Sequence, residues 1–288
     1  MPYFLSFESF AGCNLMCPEC PMGNSQIKRE SKKISLPFFK KVIDETYRSL
    51  YCCMIYFQGE PFLNQNIFEM IHYAYKKNIY TIISTNAQLI NKEIAKKIIE
   101  SGLNKIIISI DGTDQQTYEK YRKGGSLQKA IDSISYLNKE RGKSKKLLIE
   151  VQFIVFSHNE HQIDEIKKLG IMWGADKVSI KTAQIYDFNK KENLIPNNKK
   201  YSRYVKDGEN WRLKKKLHNR CLRIFGGAVI DADGNVLPCC YDKSSTHIMG
   251  NISNENFKNI WIGEKFEEFR KQVFRNRKQF EICQNCNE

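Results

Sequence analysis

The sequence predicts an α/β fold in which a parallel sheet, covered by helices, forms a partial (β/α)6 TIM-like barrel ahead of a small C-terminal domain. Short apolar runs typical of buried strands alternate about six times with stretches whose apolar residues recur at helical spacing. Such alternation favours a parallel sheet with right-handed crossovers. The alternation stops near residue 182, and a cysteine-rich segment follows.

Each element of the barrel has its own pattern. We expect strands at residues 3–7, 52–57, 79–84, 105–110, 147–156 and 177–181. The helical faces between them include Val42, Ile71, Ile98, Ile134 and Ile166. Six strand–helix units are too few for a closed eight-unit barrel, so we expect an open one. In such folds ligands bind at the carboxyl ends of the strands.

Three segments organise the chain: a core over residues 1–185, a linker over 186–220 and a C-terminal domain over 221–288. The linker is polar and lysine-rich, with Asp207-Gly208 as a turn signal and some helix expected. In the C-terminal domain, residues 228–230 and 235–237 predict a β-hairpin, and residues 257–274 predict a helix.

Composition and charge narrow the function classes. The chain has 288 residues, of which 41% are hydrophobic and 27% charged, as in soluble globular proteins. It contains no apolar run long enough to span a membrane and no secretory signal, so we expect a cytoplasmic protein. The net charge of +14 suits nucleic acid, an acidic membrane surface or an anionic substrate, but scattered lysines favour a solvated surface and no nucleic-acid partner.

Three cysteines follow the first predicted strand: Cys13, Cys17 and Cys20. Thiolates so close in sequence can converge on one metal centre from a single loop. A structural zinc site takes four ligands, whereas a four-iron cluster held by three thiolates leaves one iron open to a ligand from outside the protein. Spacing alone also allows a zinc site that borrows a fourth ligand, or free cysteines in the core.

The spacing Cys-x3-Cys-x2-Cys, with Met16 before the second cysteine, resembles the radical S-adenosylmethionine (SAM) superfamily. The resemblance implies a 4Fe–4S cluster whose open iron chelates the amino and carboxylate groups of SAM. It implies that one electron from the reduced cluster cleaves SAM to methionine and a 5′-deoxyadenosyl radical, which abstracts hydrogen from the substrate. A reductant such as flavodoxin or ferredoxin is then a partner.

Further motifs follow the strand ends in the order of that superfamily. Their residues, which by resemblance contact SAM, are Gly59, Glu60, Pro61, Thr85, Asn86, Ser109, Asp111 and Arg122. Glu60 is expected at the methionine amino group, Ser109 and Asp111 near the ribose, and Arg122 at the carboxylate. Ala87 stands where the superfamily often has glycine.

The remaining distal cysteines are Cys221, Cys239, Cys240, Cys283 and Cys286. Four thiolates suffice for zinc or for a second iron–sulfur cluster. The segments 234–239 and 250–252, with Trp261, resemble the SPASM/twitch-domain subfamily, in a layout similar to butirosin-pathway aminocyclitol dehydrogenases. The resemblance implies one auxiliary 4Fe–4S cluster on Cys221, Cys239, Cys283 and Cys286, because a full SPASM domain needs further cysteines. Whether Cys239 or Cys240 is the ligand stays open.

The catalytic base is unassigned, with three candidates. Asp242 is the acid nearest to the position that holds an aspartate base in sulfatase-maturating relatives. His158 follows the fifth strand, and strand alternation makes Tyr56 a candidate for the barrel lining. Cys52 and Cys53 lie in the second strand and are expected in the core.

Together these features predict a radical SAM oxidoreductase. The favoured reaction is dehydrogenation of a hydroxylated or amino-bearing small molecule of the sugar or cyclitol type, with oxidation through the auxiliary cluster. The alternative is a peptide-modifying maturase. Only twelve residues precede Cys13, so we expect no N-terminal peptide-recognition domain, which favours a small substrate or a partner protein that delivers the peptide. A remote alternative is a nucleic-acid-binding protein whose cysteines bind structural zinc. Measurement of the metal content distinguishes it from an iron–sulfur enzyme.

Overall fold

The computed structural model describes residues 1–25, 30–144 and 146–286. Its strands are, in chain order, β1 (Phe4–Phe7), β2 (Phe10–Ala11), β3 (Lys32–Lys33), β4 (Cys52–Met54), β5 (Tyr80–Thr85), β6 (Lys105–Ser109), β7 (Leu148–Val155), β8 (Lys177–Thr182), β9 (Tyr204–Asp207), β10 (Asn210–Leu213), β11 (Gly227–Ile230), β12 (Asn235–Leu237) and β13 (Gly250–Asn251). The six predicted barrel strands β1, β4, β5, β6, β7 and β8 are confirmed, and they pair in parallel in that order. The second of them ends at Met54 rather than at residue 57.

Helices cover this sheet. They are α1 (Leu36–Thr46), α2 (Ile67–Lys76), α3 (Lys92–Ser101), α4 (Gln115–Tyr121), α5 (Leu127–Arg141), α6 (Ile163–Met172), α7 (Arg223–Gly226), α8 (Phe257–Ile262), α9 (Glu264–Asn276) and α10 (Glu281–Gln284). The five predicted helical faces lie on α1, α2, α3, α5 and α6, and they bury their apolar residues. Within the described residues, none of the helices combines the length and the hydropathy needed to cross a bilayer.

The structure divides one predicted helix into two. The sequence predicts a single helix over residues 257–274, whereas the structure ends α8 at Ile262 and begins α9 at Glu264. Gly263 between them has an extended ψ of 158°, which interrupts the helical hydrogen bonds. Glycine has a low helix propensity, so this break costs little.

The linker over residues 186–220 contains a hairpin, so the helix expected there is wrong apart from one 3₁₀ turn at Glu192–Leu194. Strands β9 and β10 pair antiparallel, and the Asp207-Gly208 signal lies in their turn. In β10 the half-buried Trp211 and Leu213 alternate with exposed Arg212. Alternation of this kind puts the apolar side chains on one face of a strand.

The C-terminal hairpin continues the barrel sheet. Strands β11 and β12 form the predicted antiparallel pair, and β11 also pairs in parallel with β1, on the side opposite β4. Gly227 permits this close packing, because a Cβ there would lie 2.2 Å from the ring of Phe4. One sheet of nine strands therefore spans both the core and the C-terminal segment.

The turn after β5 holds a non-glycine residue in the left-handed region. Ala87 has a φ of +61° and is buried, and its N–H donates to the Thr85 hydroxyl at 2.9 Å. A Cβ in this region costs about 1–2 kcal/mol.

Replacing Ala87 with glycine should therefore stabilise the protein. We expect Ala87→Gly to raise the free energy of unfolding by about 0.5–1 kcal/mol, because relief of strain exceeds the added backbone entropy of glycine. The matched control, Ala95→Gly within α3, should lower it by about 1 kcal/mol. Denaturant unfolding followed by circular dichroism measures both, and equal destabilisation by the two changes would refute the strain at Ala87.

Candidate functional site

Three cysteines line one cavity of about 140 Å³ at the carboxyl ends of the barrel strands. They are Cys13, Cys17 and Cys20, named here the first thiol group, and the space that they line is the cysteine cavity. Burial raises the pKa of Cys17 to about 11, although the nearby Arg122 opposes the shift. The free thiol is therefore protonated at neutral pH, and binding to a metal would release its proton.

The residues of the sequence motifs surround these thiols. Those that line the cysteine cavity are Gly59, Glu60, Thr85, Asn86, Ser109 and Arg122. The Asn86 side-chain amide donates to the Cys13 sulfur at 3.6 Å and to the Asn14 side chain at 2.8 Å. These motif residues lie at or after the ends of β4, β5 and β6, and the parallel sheet brings those ends to one edge.

Glu60 is a buried carboxylate that holds two loops together. It is 2% exposed, and its Oε1 accepts from the Thr85 hydroxyl at 2.7 Å and from the Phe62 N–H at 3.2 Å. Its Oε2 accepts from the Asn86 N–H at 2.8 Å. Burial raises the pKa of Glu60, and these hydrogen bonds oppose the rise. A carboxylate offers about four acceptor positions, so one further donor such as an amine can bind.

Gly59 lies against the backbone that leads into the cysteine loop. Its φ is +70°, and a Cβ would stand 2.1 Å from the carbonyl oxygen of Phe10. The Glu60 N–H donates to the Gly12 carbonyl at 2.8 Å. The backbone at Gly59 thus packs closely against the backbone of the protein itself. Pro61 is buried at the start of a 3₁₀ turn and is not among the residues that line the cysteine cavity.

Asp111 and Arg122 form a buried ion pair beside Cys17. The Arg122 Nε lies 2.5 Å from Asp111 Oδ2, and the two side chains are 13% and 0% exposed. Arg122 Nη1 lies 3.9 Å from the Cys17 sulfur. Asp111 Oδ1 accepts from the Ile154 N–H at 2.6 Å. Asp111 therefore positions Arg122, and the expected contacts of Ser109 and Asp111 with a ribose stay predictions.

Three distal cysteines are buried around one guanidinium. Cys221, Cys283 and Cys286, the second thiol group, lie beside Arg277, which is 2% exposed. Arg277 Nη2 donates to the Cys286 sulfur at 3.0 Å, and Nη1 donates to the Arg220 carbonyl at 3.2 Å. Burial raises the pKa of Cys283, and the hydrogen bond from Arg277 opposes this.

Cys239 and Cys240 contact each other. A hydrogen bond with Cys240, together with burial, raises the pKa of Cys239 well above its usual value. The Cys239 sulfur also accepts from the Tyr241 N–H at 3.5 Å. Which of the two cysteines completes the second thiol group therefore stays a prediction.

The chemistry of the two thiol groups fits iron–sulfur clusters. Among residues 1–25, 30–144 and 146–286, no three His, Cys, Asp or Glu side chains are close enough to hold a single metal ion. A four-iron cluster binds each thiolate through a different iron, so it accepts donors that are further apart. Soft sulfur donors suit such clusters. Glu60 and Arg122 offer opposite charges for the amino and carboxylate groups of an amino acid.

Two adjoining cavities connect the cysteine cavity to Cys240. The inner cavity, of about 340 Å³, is bordered by Cys20 and Gly59, and the outer cavity, of about 780 Å³, is bordered by Cys240. The side chains that line both are Gln152, Lys181, Thr182, Gln184, Arg203 and Lys243. The space between the first thiol group and Cys240 is therefore open. The side chains that line both cavities are polar, whereas Phe57, Ile154 and Phe156 give the inner cavity an apolar part as well.

Asp242 accepts hydrogen bonds from its own loop. Asp242 is fully buried, and its two oxygens accept from the N–H groups of Thr246 at 2.8 Å and His247 at 2.9 Å. Asp242 therefore anchors its own loop, and its assignment as the catalytic base stays a prediction.

The other two candidate bases differ in position. Tyr56 lines the cysteine cavity, and burial raises its pKa to about 12. His158 stacks on Phe156 with ring centroids 5.5 Å apart, and it is not among the residues that line the three cavities. Of the two, Tyr56 alone lies next to the first thiol group.

The sequence interpretation missed five residues of these sites. They are Gln58, Lys181, Arg203, Lys243 and Arg277. Lys181 ends a predicted strand, where ligand-binding side chains are expected, so a signal for it existed. Arg203, Lys243 and Arg277 lie outside the strands and helices of the barrel, and no local pattern marks them.

Comparison with known proteins relates both segments to families. A family model described as the Radical SAM superfamily matches residues 7–170, and a model described as the SPASM iron–sulfur cluster-binding domain matches residues 221–287. The first implies SAM and a 4Fe–4S cluster, and the second implies auxiliary iron–sulfur binding.

Curated relatives align over nearly the whole chain. An AdoMet-dependent heme synthase of Methanosarcina barkeri is 24% identical over 94% of this chain and 84% of its own. The mycofactocin maturase MftC of Mycolicibacterium smegmatis is 25% identical over 93% and 72%. A PqqA peptide cyclase of Bradyrhizobium diazoefficiens is 22% identical over 94% and 75%.

Solved structures share the fold. BtrN in complex with AdoMet and 2-DOIA matches with a TM-score of 0.63 at 20% identity, covering 100% of this chain and 94% of BtrN. Streptococcus suis SuiB bound to precursor peptide SuiA matches with a TM-score of 0.70 at 15% identity, covering 100% and 71%. Because the superfamily model covers more than half of the 288 residues, the protein belongs to the radical SAM superfamily, and it carries a C-terminal SPASM domain.

Proposed function

We propose that this radical SAM enzyme dehydrogenates a hydroxylated small molecule of the sugar or cyclitol type, which can also bear an amine. The observation that supports this best is the open space between Cys20 and Cys240, in which polar side chains line both cavities. A substrate in this space lies between the site of radical formation and the SPASM domain. Glutamine and threonine side chains in the lining suit the hydroxyl groups of such a substrate.

The residues of the cysteine cavity have distinct roles in the proposal. The first thiol group holds a 4Fe–4S cluster, Glu60 accepts the amino group of SAM, and Arg122 binds its carboxylate. When bound, this cofactor pair supplies a 5′-deoxyadenosyl radical that can remove hydrogen from carbon. Asp111 fixes the Arg122 guanidinium by the 2.5 Å ion pair, so the site is preorganised before SAM arrives.

The second thiol group, with Cys239, holds the auxiliary cluster in the proposal. When bound, that cluster supplies an acceptor for the second electron of a dehydrogenation. The buried Arg277 donates to the Cys286 sulfur at 3.0 Å and offsets the negative charge of a thiolate ligand set.

The alternative is modification of a peptide. It is supported by relatives whose names specify peptides, a PqqA peptide cyclase and SuiB bound to its precursor peptide. An outer cavity of about 780 Å³ has room for a side chain delivered on a peptide. The two functions share the first chemical step and differ in the molecule that provides the hydrogen atom.

Metal content tests the cluster assignments. Anaerobically reconstituted protein should hold about eight iron and eight sulfide per chain, because each 4Fe–4S cluster brings four of each. Replacing the first thiol group with alanines should leave about four iron and abolish SAM cleavage. Cys53→Ala, a change of a buried cysteine outside both groups, should keep both clusters. A content of about two zinc ions per chain, without sulfide, would contradict the proposal.

Product analysis tests the reaction. Incubation with SAM, a reductant and candidate polyols should give 5′-deoxyadenosine and a product lighter by about two mass units, as dehydrogenation requires. Deuterium at the reacting carbon should appear in the 5′-deoxyadenosine. The same mass loss, a cross-link or a thioether on a peptide would establish the alternative, and a holoprotein that forms no 5′-deoxyadenosine would contradict both.

A further inference from the structure

The outer cavity carries a concentration of positive charge. Its lining includes Lys181, Arg203, Lys215 and Lys243, and no Asp or Glu is among its lining residues in the described ranges. Cations gathered in one concave site repel one another and attract anions, because the walls focus their field. Some of the basic residues behind the net charge of +14 therefore lie together in one cavity, where they can attract an anionic ligand.

These cations lack the acidic partners that other basic residues have. Lys191 contacts Glu19 at 2.5 Å and Lys105 contacts Glu150 at 2.6 Å. None of the four cations of the outer cavity forms an ion pair with an acid in residues 1–25, 30–144 and 146–286. Glu19, the acidic residue in the lining of the inner cavity, is already engaged by Lys191 and by the Tyr186 N–H at 3.1 Å.

Two of the cations are held in place by the fold. The Arg203 guanidinium donates to the Thr182 carbonyl at 3.4 Å and to the Asn285 carbonyl at 3.3 Å. Its Nε is buried and has no hydrogen-bond partner among the described residues. Lys243 places its ammonium group 4.3 Å from the centre of the Phe57 ring. Held cations lose less conformational freedom on binding an anion.

Gln58 adds a buried acceptor on the side of the first thiol group. It is 6% exposed and lines the inner cavity. Its Nε2 donates to the Lys243 carbonyl at 2.6 Å, which fixes the orientation of the amide. Its Oε1 is buried without a partner among the described residues. A buried acceptor without a donor is costly, so a ligand hydroxyl or amide N–H is the expected partner.

We propose that the substrate carries a phosphate or carboxylate group, which binds Lys181, Arg203 and Lys243, and a hydroxyl or N–H that donates to Gln58. The anionic end lies in the outer cavity, and the reacting end extends through the inner cavity towards Cys20. This inference rests on the proposed function and narrows its substrate to anionic small molecules, such as phosphorylated sugars or polyols. A substrate whose only charge is an amine does not complement this lining.

Binding of a simple anion tests the inference without any turnover. Inorganic pyrophosphate is titrated into the reconstituted holoprotein with SAM, by calorimetry. We expect a dissociation constant of about 1 mM or lower and about a tenfold weakening for each of Lys181→Gln and Lys243→Gln. The control variant Lys97→Gln changes an exposed residue of α3. It should bind pyrophosphate with the same dissociation constant as the unmodified protein. Lys181 is exposed, so its variant should fold, and equal iron content verifies this.

Three results would overturn the inference: no saturable pyrophosphate binding, equal affinity in the lysine variants, or tighter binding of glucosamine than of pyrophosphate. If an acidic hexapeptide binds more tightly than pyrophosphate, the ligand of the outer cavity is a peptide rather than a small molecule. SAM cleavage, measured in the same samples, separates the two proposals. Intact cleavage without anion binding refutes this inference alone, whereas anion binding without cleavage refutes the proposed function alone.

Discussion

The parallel pairing of β11 with β1 is the contact on which the arrangement of the sites depends. Strand β1 leads into the first thiol group, and it has β4 on one side and β11 on the other. Glu8, directly after β1, accepts from the Ala232 N–H at 3.0 Å and so fixes the turn after β11. The 2.6 Å bond from Gln58 to the Lys243 carbonyl then closes the loop after β4 against the SPASM domain. Because of this one sheet, residues of both segments line the inner and outer cavities.

Buried carboxylates shape this site more than they react in it. Glu60, Asp111 and Asp242 are fully or nearly fully buried, and each accepts hydrogen bonds from the protein. Such anchors hold the groups that remain available, the Arg122 guanidinium and the thiols, in a fixed geometry. The carboxylates of the cofactor motifs thus stabilise the protein's own loops, and the charged side chains that line both the inner and the outer cavity are basic.

The sequence predicts the barrel well because its strands are continuous apolar runs and its helices have one apolar face. It also predicts that Glu60, Thr85 and Ser109 share a cavity, since the carboxyl ends of parallel strands meet. Pairing between β1 and β11 joins segments more than two hundred residues apart, and no local pattern encodes such a register. For the same reason, no local pattern predicts that Lys181 lies near Lys243 or that Arg277 lies near Cys221.

Electron paramagnetic resonance of the reduced, reconstituted protein, recorded with and without SAM, tests whether the first thiol group holds the cluster that binds SAM. We expect two cluster signals, of which only the one that depends on the first thiol group changes when SAM is added. The signal that depends on the second thiol group should keep its g values and should persist when the first thiol group is replaced by alanines. A SAM-dependent change in that remaining signal would contradict the assignment of the two sites.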